Sequence, residues 1–215
     1  MIILFDLDGT LIDSTEAILE SFHHTFESHG CSQRDTKMVK SLIGYPLDIM
    51  FYELGIEQEN VWDFVATYKE HYRLISTQKT ILLSNAREAI VKASGFAELG
   101  IVTTKTGEYS QILLEHFGLM QYFKVLIGRE DVENPKPHEE PILKALESFN
   151  SDEKDIWMVG DTKLDLLCAS NAQIKSIAVL SGYDTYKTLK KFTNVVLSDA
   201  LEAVAYLEKR HISHK

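Results

Sequence analysis

The chain has 215 residues, 45% of them apolar, and a formal net charge of -10 at pH 7. That is enough apolar side chain for one α/β domain with a modest insertion, whereas so acidic a surface excludes counterion-driven binding to nucleic acid or to an anionic membrane. Cys31 and Cys168 are the only cysteines; they fit neither zinc-site spacing nor a disulfide framework and point to a reducing, cytoplasmic setting.

The first element is the apolar run Ile2-Ile3-Leu4-Phe5, which predicts a buried strand of a parallel sheet. It runs into Asp6-Leu7-Asp8-Gly9-Thr10, and these acids break the run too early for a signal peptide or membrane anchor. Open α/β sheets place their ligand crevice at the carboxyl ends of the strands, so Asp6 and Asp8 are expected to face a cleft. Two acids there repel each other unless a cation or a shared proton lies between them, which directs attention to a hard ion such as Mg2+.

Asp13-Ser14-Thr15-Glu16 reads as a capping box, followed by Ile18, Phe22 and Phe26 at helical spacing up to Gly30. Further helices are predicted over Met38 to Ile43, from Pro46 as a first helical residue through Leu47, Met50, Phe51 and Leu54, and over Val61 to Ile75. In the last of these, Phe64, Tyr68 and Tyr72 form a stripe expected to be core. No strand is expected between Asp13 and Gln78. From Ala86 the pattern alternates: helix to Ser94 stopped by Gly95, strand Leu99 to Thr103, helix Tyr109 to Phe117, strand Val125 to Ile127 and helix Glu140 to Phe149. It continues with strand Ile156 to Val159, helix Leu164 to Ser170, strands Ile174 to Val179 and Val195 to Leu197, and a last helix from about Asp199. The polar tail His211 to Lys215 is expected to fray. This order predicts a doubly wound parallel sheet with crossover helices, interrupted after its first strand by an all-helical insert. The expected domains are residues 1–13 with 81–215, and residues 14–80.

Three later strand ends carry polar groups to match the first. Thr103-Thr104-Lys105 offers hydroxyls and backbone N–H groups suited to an anion. In Asn134-Pro135-Lys136-Pro137 two prolines restrict the backbone around one lysine and help aim its ammonium. Gly160-Asp161 ends the next strand, with Asp165 near the start of the following helix. Acid, hydroxyl, lysine and acid thus recur in order.

These segments resemble the four motifs of the haloacid dehalogenase-like superfamily, and the likeness spans nearly the whole chain, being strongest to the phosphoglycolate phosphatase-like branch. The resemblance implies a Rossmann-like doubly wound core with a small helical cap inserted after the first strand. It implies that Asp6 is a nucleophile forming an aspartyl-phosphate and that Asp8 is the general acid and base. Thr103 and Lys136 would bind the phosphoryl group with backbone N–H groups of Leu7, Asp8 and Thr104. Mg2+ would be held by the Asp6 and Asp161 carboxylates and the Asp8 main-chain carbonyl, with Asp165 orienting that shell. Two positions depart from the pattern: Thr104 replaces the Asn common after the motif-two Thr, and Glu139 stands where a proline is common. Tyr45, in Gly44-Tyr45-Pro46, either contributes to specificity or covers the cap core. The expected activity is hydrolysis of a small phosphorylated metabolite, phosphoglycolate first, by a monomer or homodimer. A phosphomutase, a pyrophosphatase and a binding protein on the same fold are the alternatives.

Overall fold

The structure is a computed structural model describing residues 1–149 and 153–213. The chain divides into two compact units, Met1–Asp13 with Leu82–Lys215, and Ser14–Ile81. No helix among the described residues is long and apolar enough to cross a membrane.

The first unit begins with β1 (Ile2–Phe5) and a short β2 (Ile12–Asp13). The second unit is then built from α1 (Thr15–Ser28), α2 (Thr36–Ser41), α3 (Leu47–Glu53) and α4 (Val61–Ile75). The chain passes through β3 (Ile81–Leu82) and continues the first unit with α5 (Ala86–Ser94), β4 (Glu98–Val102), α6 (Gly107–His116), β5 (Phe123–Ile127) and α7 (Glu140–Leu146). It ends with β6 (Ile156–Gly160), α8 (Lys163–Asn171), β7 (Lys175–Val179), α9 (Tyr186–Leu189), β8 (Val196–Leu197) and α10 (Ala200–Ser213).

Six of the strands pair in parallel in the order β5-β4-β1-β6-β7-β8. β1 is apolar at every position because the sheet is covered on both faces. Ile3 and Phe5 pack among residues of α5, α6 and α10, while Ile2 and Leu4 pack among residues of α7 and α8. The helical unit has its own core, in which Phe22, Phe26, Phe51, Phe64 and Tyr68 make tilted and edge-on ring contacts.

Some local expectations change. Ser14 is the N-cap of α1 but makes no side-chain capping bond, because its backbone (φ -104°, ψ 14°) is not in the extended conformation that aims a hydroxyl at the first turn. Pro46 stands one position earlier than expected, as the N-cap of α3, its ψ of 149° keeping it outside the helix. The helix α10 persists to Ser213 through His211 and Ile212; the rest of the expected frayed tail, His214 and Lys215, lies outside the described residues.

Candidate active site

Chain order turns around at β1: β4 and β5 lie to one side of it, β6, β7 and β8 to the other. The crevice beyond the carboxyl ends of β1 and β6 is therefore the topological switch point, where α/β sheets bind ligands. Register fixes what meets there. Phe5 lies opposite Ile101 on β4 and Val159 on β6, and the Asp6 N–H continues the ladder by donating to the Val159 carbonyl at 2.9 Å. Asp6, Thr103 and Asp161 are thereby placed just past three adjacent strands.

After Asp6 the chain turns tightly, with N–H groups of Thr10, Leu11 and Ile12 all donating to the Leu7 carbonyl. Gly9 makes the turn possible with φ +81°, and a Cβ there would stand 2.4 Å from Asp161 Oδ2. Gly182 approaches the same carboxylate from the loop after β7, where a Cβ would fall 1.9 Å from that oxygen. Asp161 is held between them. Its Oδ1 accepts from the Thr10 hydroxyl at 2.9 Å and its Oδ2 from the Tyr183 N–H at 2.9 Å.

Asp6, Asp161 and Asp165 are buried and each brings a carboxylate oxygen within 4.8 Å of the others. The buried Lys136 ammonium is 2.5 Å from Asp165 Oδ1 and 2.9 Å from Asp6 Oδ1. It donates to Asp165 and to the Val102 carbonyl. Its contact with Asp6 is a buried ion pair. The other Asp165 oxygen accepts from the Thr162 N–H and hydroxyl, closing a capping box at the start of α8.

Three buried carboxylates against one buried lysine leave surplus negative charge. Burial, and then the Asp165 charge, push Asp6 up to about 7, against the pull of Lys136 and a backbone hydrogen bond from Leu7. Asp161 is also raised, by burial first and then by Asp6 and Asp165. Burial alone would lower Lys136, but Asp165 and Asp6 hold it above the ordinary lysine value. A hard divalent cation fits this donor set of oxygen ligands with excess negative charge. Asp165 has both oxygens engaged by Lys136 and Thr162, which suits it to hold its neighbours in place.

Asp8 lies at the edge of this cluster, its Oδ2 3.0 Å from Lys105 Nζ. Thr103 is buried; its N–H donates to the Ile127 carbonyl and its hydroxyl accepts from the Lys105 N–H at 3.2 Å. Thr104 is half-buried in the same loop and Leu7 is wholly buried. Tyr45 belongs to the helical unit, half-buried and bridged to Ile43. Thr10, Gly182, Tyr183 and the Lys105 side chain were not foreseen as site groups. Thr10 and Lys105 stand inside recognised segments, whereas the Gly182-Tyr183 pair acts across 22 positions and carries no local signal.

The model of the family described as haloacid dehalogenase-like hydrolase matches residues 3–179. The chain is 38% identical over 183 residues to the pyrophosphatase PpaX of Halalkalibacterium halodurans, covering 84% of this chain and 83% of that one. A "predicted phosphatase from Clostridium acetobutylicum" superposes with a TM-score of 0.88 at 26% identity, over 97% of this chain and 98% of the other. A "predicted phosphoglycolate phosphatase" from Haemophilus somnus superposes with a TM-score of 0.86 at 22% identity, over 96% and 97% of the two chains, a likeness of fold alone.

Proposed function

Because the chain belongs to the haloacid dehalogenase-like hydrolase family, we propose that it is a Mg2+-dependent phosphatase of small phosphorylated metabolites, with inorganic pyrophosphate as its foremost substrate. It is a hydrolase of the phosphatase kind; the metal, the intermediate and the substrate are the proposed parts. Pyrophosphate takes precedence over the phosphoglycolate expected from sequence because the more identical relative is named a pyrophosphatase. One observation carries the reading: a buried carboxylate, Asp6, stands 2.9 Å from a buried lysine and beside two further buried acids at the switch point.

In this reading Asp6 attacks phosphorus in line, its new bond to phosphorus forming as the bond to the leaving oxygen breaks. Asp8 gives that oxygen a proton and then takes one from the water that cleaves the aspartyl-phosphate. Lys136 balances the Asp6 charge as an anionic phosphoryl group approaches. The Thr103 hydroxyl and the N–H groups of Leu7, Asp8 and Thr104 hold the phosphoryl oxygens. The Asp6 and Asp161 carboxylates with the Asp8 main-chain carbonyl would hold Mg2+, which supplies positive charge to the phosphoryl oxygens. The helical unit, inserted between β2 and β3, is assigned the role of cap.

The test is phosphate release from pyrophosphate, phosphoglycolate and a set of sugar phosphates, with and without Mg2+, using Asp6→Asn as the blank. Metal-dependent turnover is expected in the wild type and none in Asp6→Asn, with Asp8→Asn slowed about a hundredfold or more. Turnover in Asp6→Asn equal to wild type would remove Asp6 as nucleophile.

A further inference from the structure

Two lysines serve the carboxylates of the first loop, and they serve different ones. Lys136 is buried against Asp6 and Asp165 and bonded to the Val102 carbonyl. Lys105 instead meets Asp8, Nζ to Oδ2 at 3.0 Å, in a more open position where the two side chains are 9% and 13% exposed. Its backbone is pinned from both sides, the N–H donating to Thr103 Oγ1 at 3.2 Å and the carbonyl accepting from the Arg129 N–H at 3.0 Å. The ammonium is therefore presented by a constrained loop.

We propose that Lys105 is a specificity-determining residue that selects substrates whose leaving group is itself an oxyanion, a phosphate or a carboxylate. The inference rests on the phosphohydrolase reading, in which Asp8 serves the leaving oxygen. An acid that hands a proton to that oxygen must touch it, and a cation 3.0 Å from the acid is within reach of groups one or two bonds further along the leaving group. An anionic leaving group brought to Asp8 would enter a site where Asp6, Asp161 and Asp165 already concentrate negative charge. Lys136 is held on the nucleophile side and cannot relieve that repulsion. Lys105 supplies the counter-charge at the place where the repulsion arises. A neutral alkyl leaving group needs none, so discrimination follows from charge complementarity on the leaving-group side.

The experiment compares kcat/KM for pyrophosphate, phosphoglycolate and ethyl phosphate in the wild type, Lys105→Arg, Lys105→Met and Lys105→Gln, each checked for folding by circular dichroism. In the Met and Gln variants all three substrates lose rate, but the ratio of an anionic leaving group to ethyl phosphate falls about twentyfold, whereas Arg keeps it within about fivefold. A fall for pyrophosphate alone assigns the phosphate, and one for phosphoglycolate alone the carboxylate; either supports the proposal. A ratio unchanged within about twofold overturns it and leaves Lys105 as a group that only positions Asp8. A second readout uses calorimetry on Asp6→Asn, where adding Lys105→Met is expected to weaken methylenediphosphonate binding about tenfold and methylphosphonate binding much less. Equal weakening of both also overturns the proposal. Should the wild type hydrolyse none of the three substrates, the phosphohydrolase reading fails and this one with it; turnover with an unchanged ratio removes this one alone.

Discussion

Asp6 is held in a position that suits chemistry better than stability. Its ordinary carboxylate value of 3.8 is pushed up to about 7, chiefly by burial and then by Asp165. The folded protein therefore binds this proton more tightly than the unfolded chain does. The stability contributed by that proton is complete below about pH 4 and is lost as pH rises through about 7, where the buried carboxylate must ionise. With metal chelated, Asp6→Asn should be more stable than wild type at pH 8, and the gap should close as pH is lowered to about 4.5. Urea unfolding at the two pH values measures this; a wild type at least as stable as the variant at pH 8 would contradict the cost ascribed to burial.

Among elements, the helical unit shows most directly how pattern becomes packing. Phe51 of α3 is fully buried and meets Phe22 of α1 at 4.7 Å and Phe64 of α4 at 5.6 Å, ring centre to ring centre. Phe51→Ala should cost about 3–5 kcal/mol in denaturant unfolding, since three helices would have to close one cavity; a loss below about 1 kcal/mol would show that the helices repack freely. The stripe Phe64, Tyr68 and Tyr72 was legible because each recurs at helical spacing, and all three are buried. β1 and β6 were legible because strands covered on both faces are apolar throughout, as in Ile2–Phe5. The two-residue strands β2 and β3 and the single turn of α9 were not, being too short to show a period and set by their neighbours. The same contrast holds in the site. Asp6, Asp8 and Asp161 announce themselves after strand ends and Lys136 between two prolines, whereas the hold of Gly182 and Tyr183 on Asp161 exists only once the loop after β7 is folded back.

For the whole molecule, the surplus charge of the acidic cluster would tie the proposed metal to stability. A cation that binds the folded protein and not the unfolded chain raises the thermal midpoint, by about 2.7 kcal/mol of stability at a hundredfold excess over its Kd. Mg2+ should raise the midpoint of the wild type and leave that of Asp161→Asn unmoved, as followed by differential scanning fluorimetry. An equal rise in both would place the ion away from this cluster. The pairing of β1 has a consequence of another kind. Its Ile2 lies opposite Glu98 and Ile156, so a ribosome makes this strand long before it makes either neighbour. By the time β4 emerges, the whole of the helical unit has been synthesised as one uninterrupted stretch, free to fold while four apolar residues wait unpaired. Until then the strand that later lies between β4 and β6 presents unpaired edges of the kind that favour mispairing.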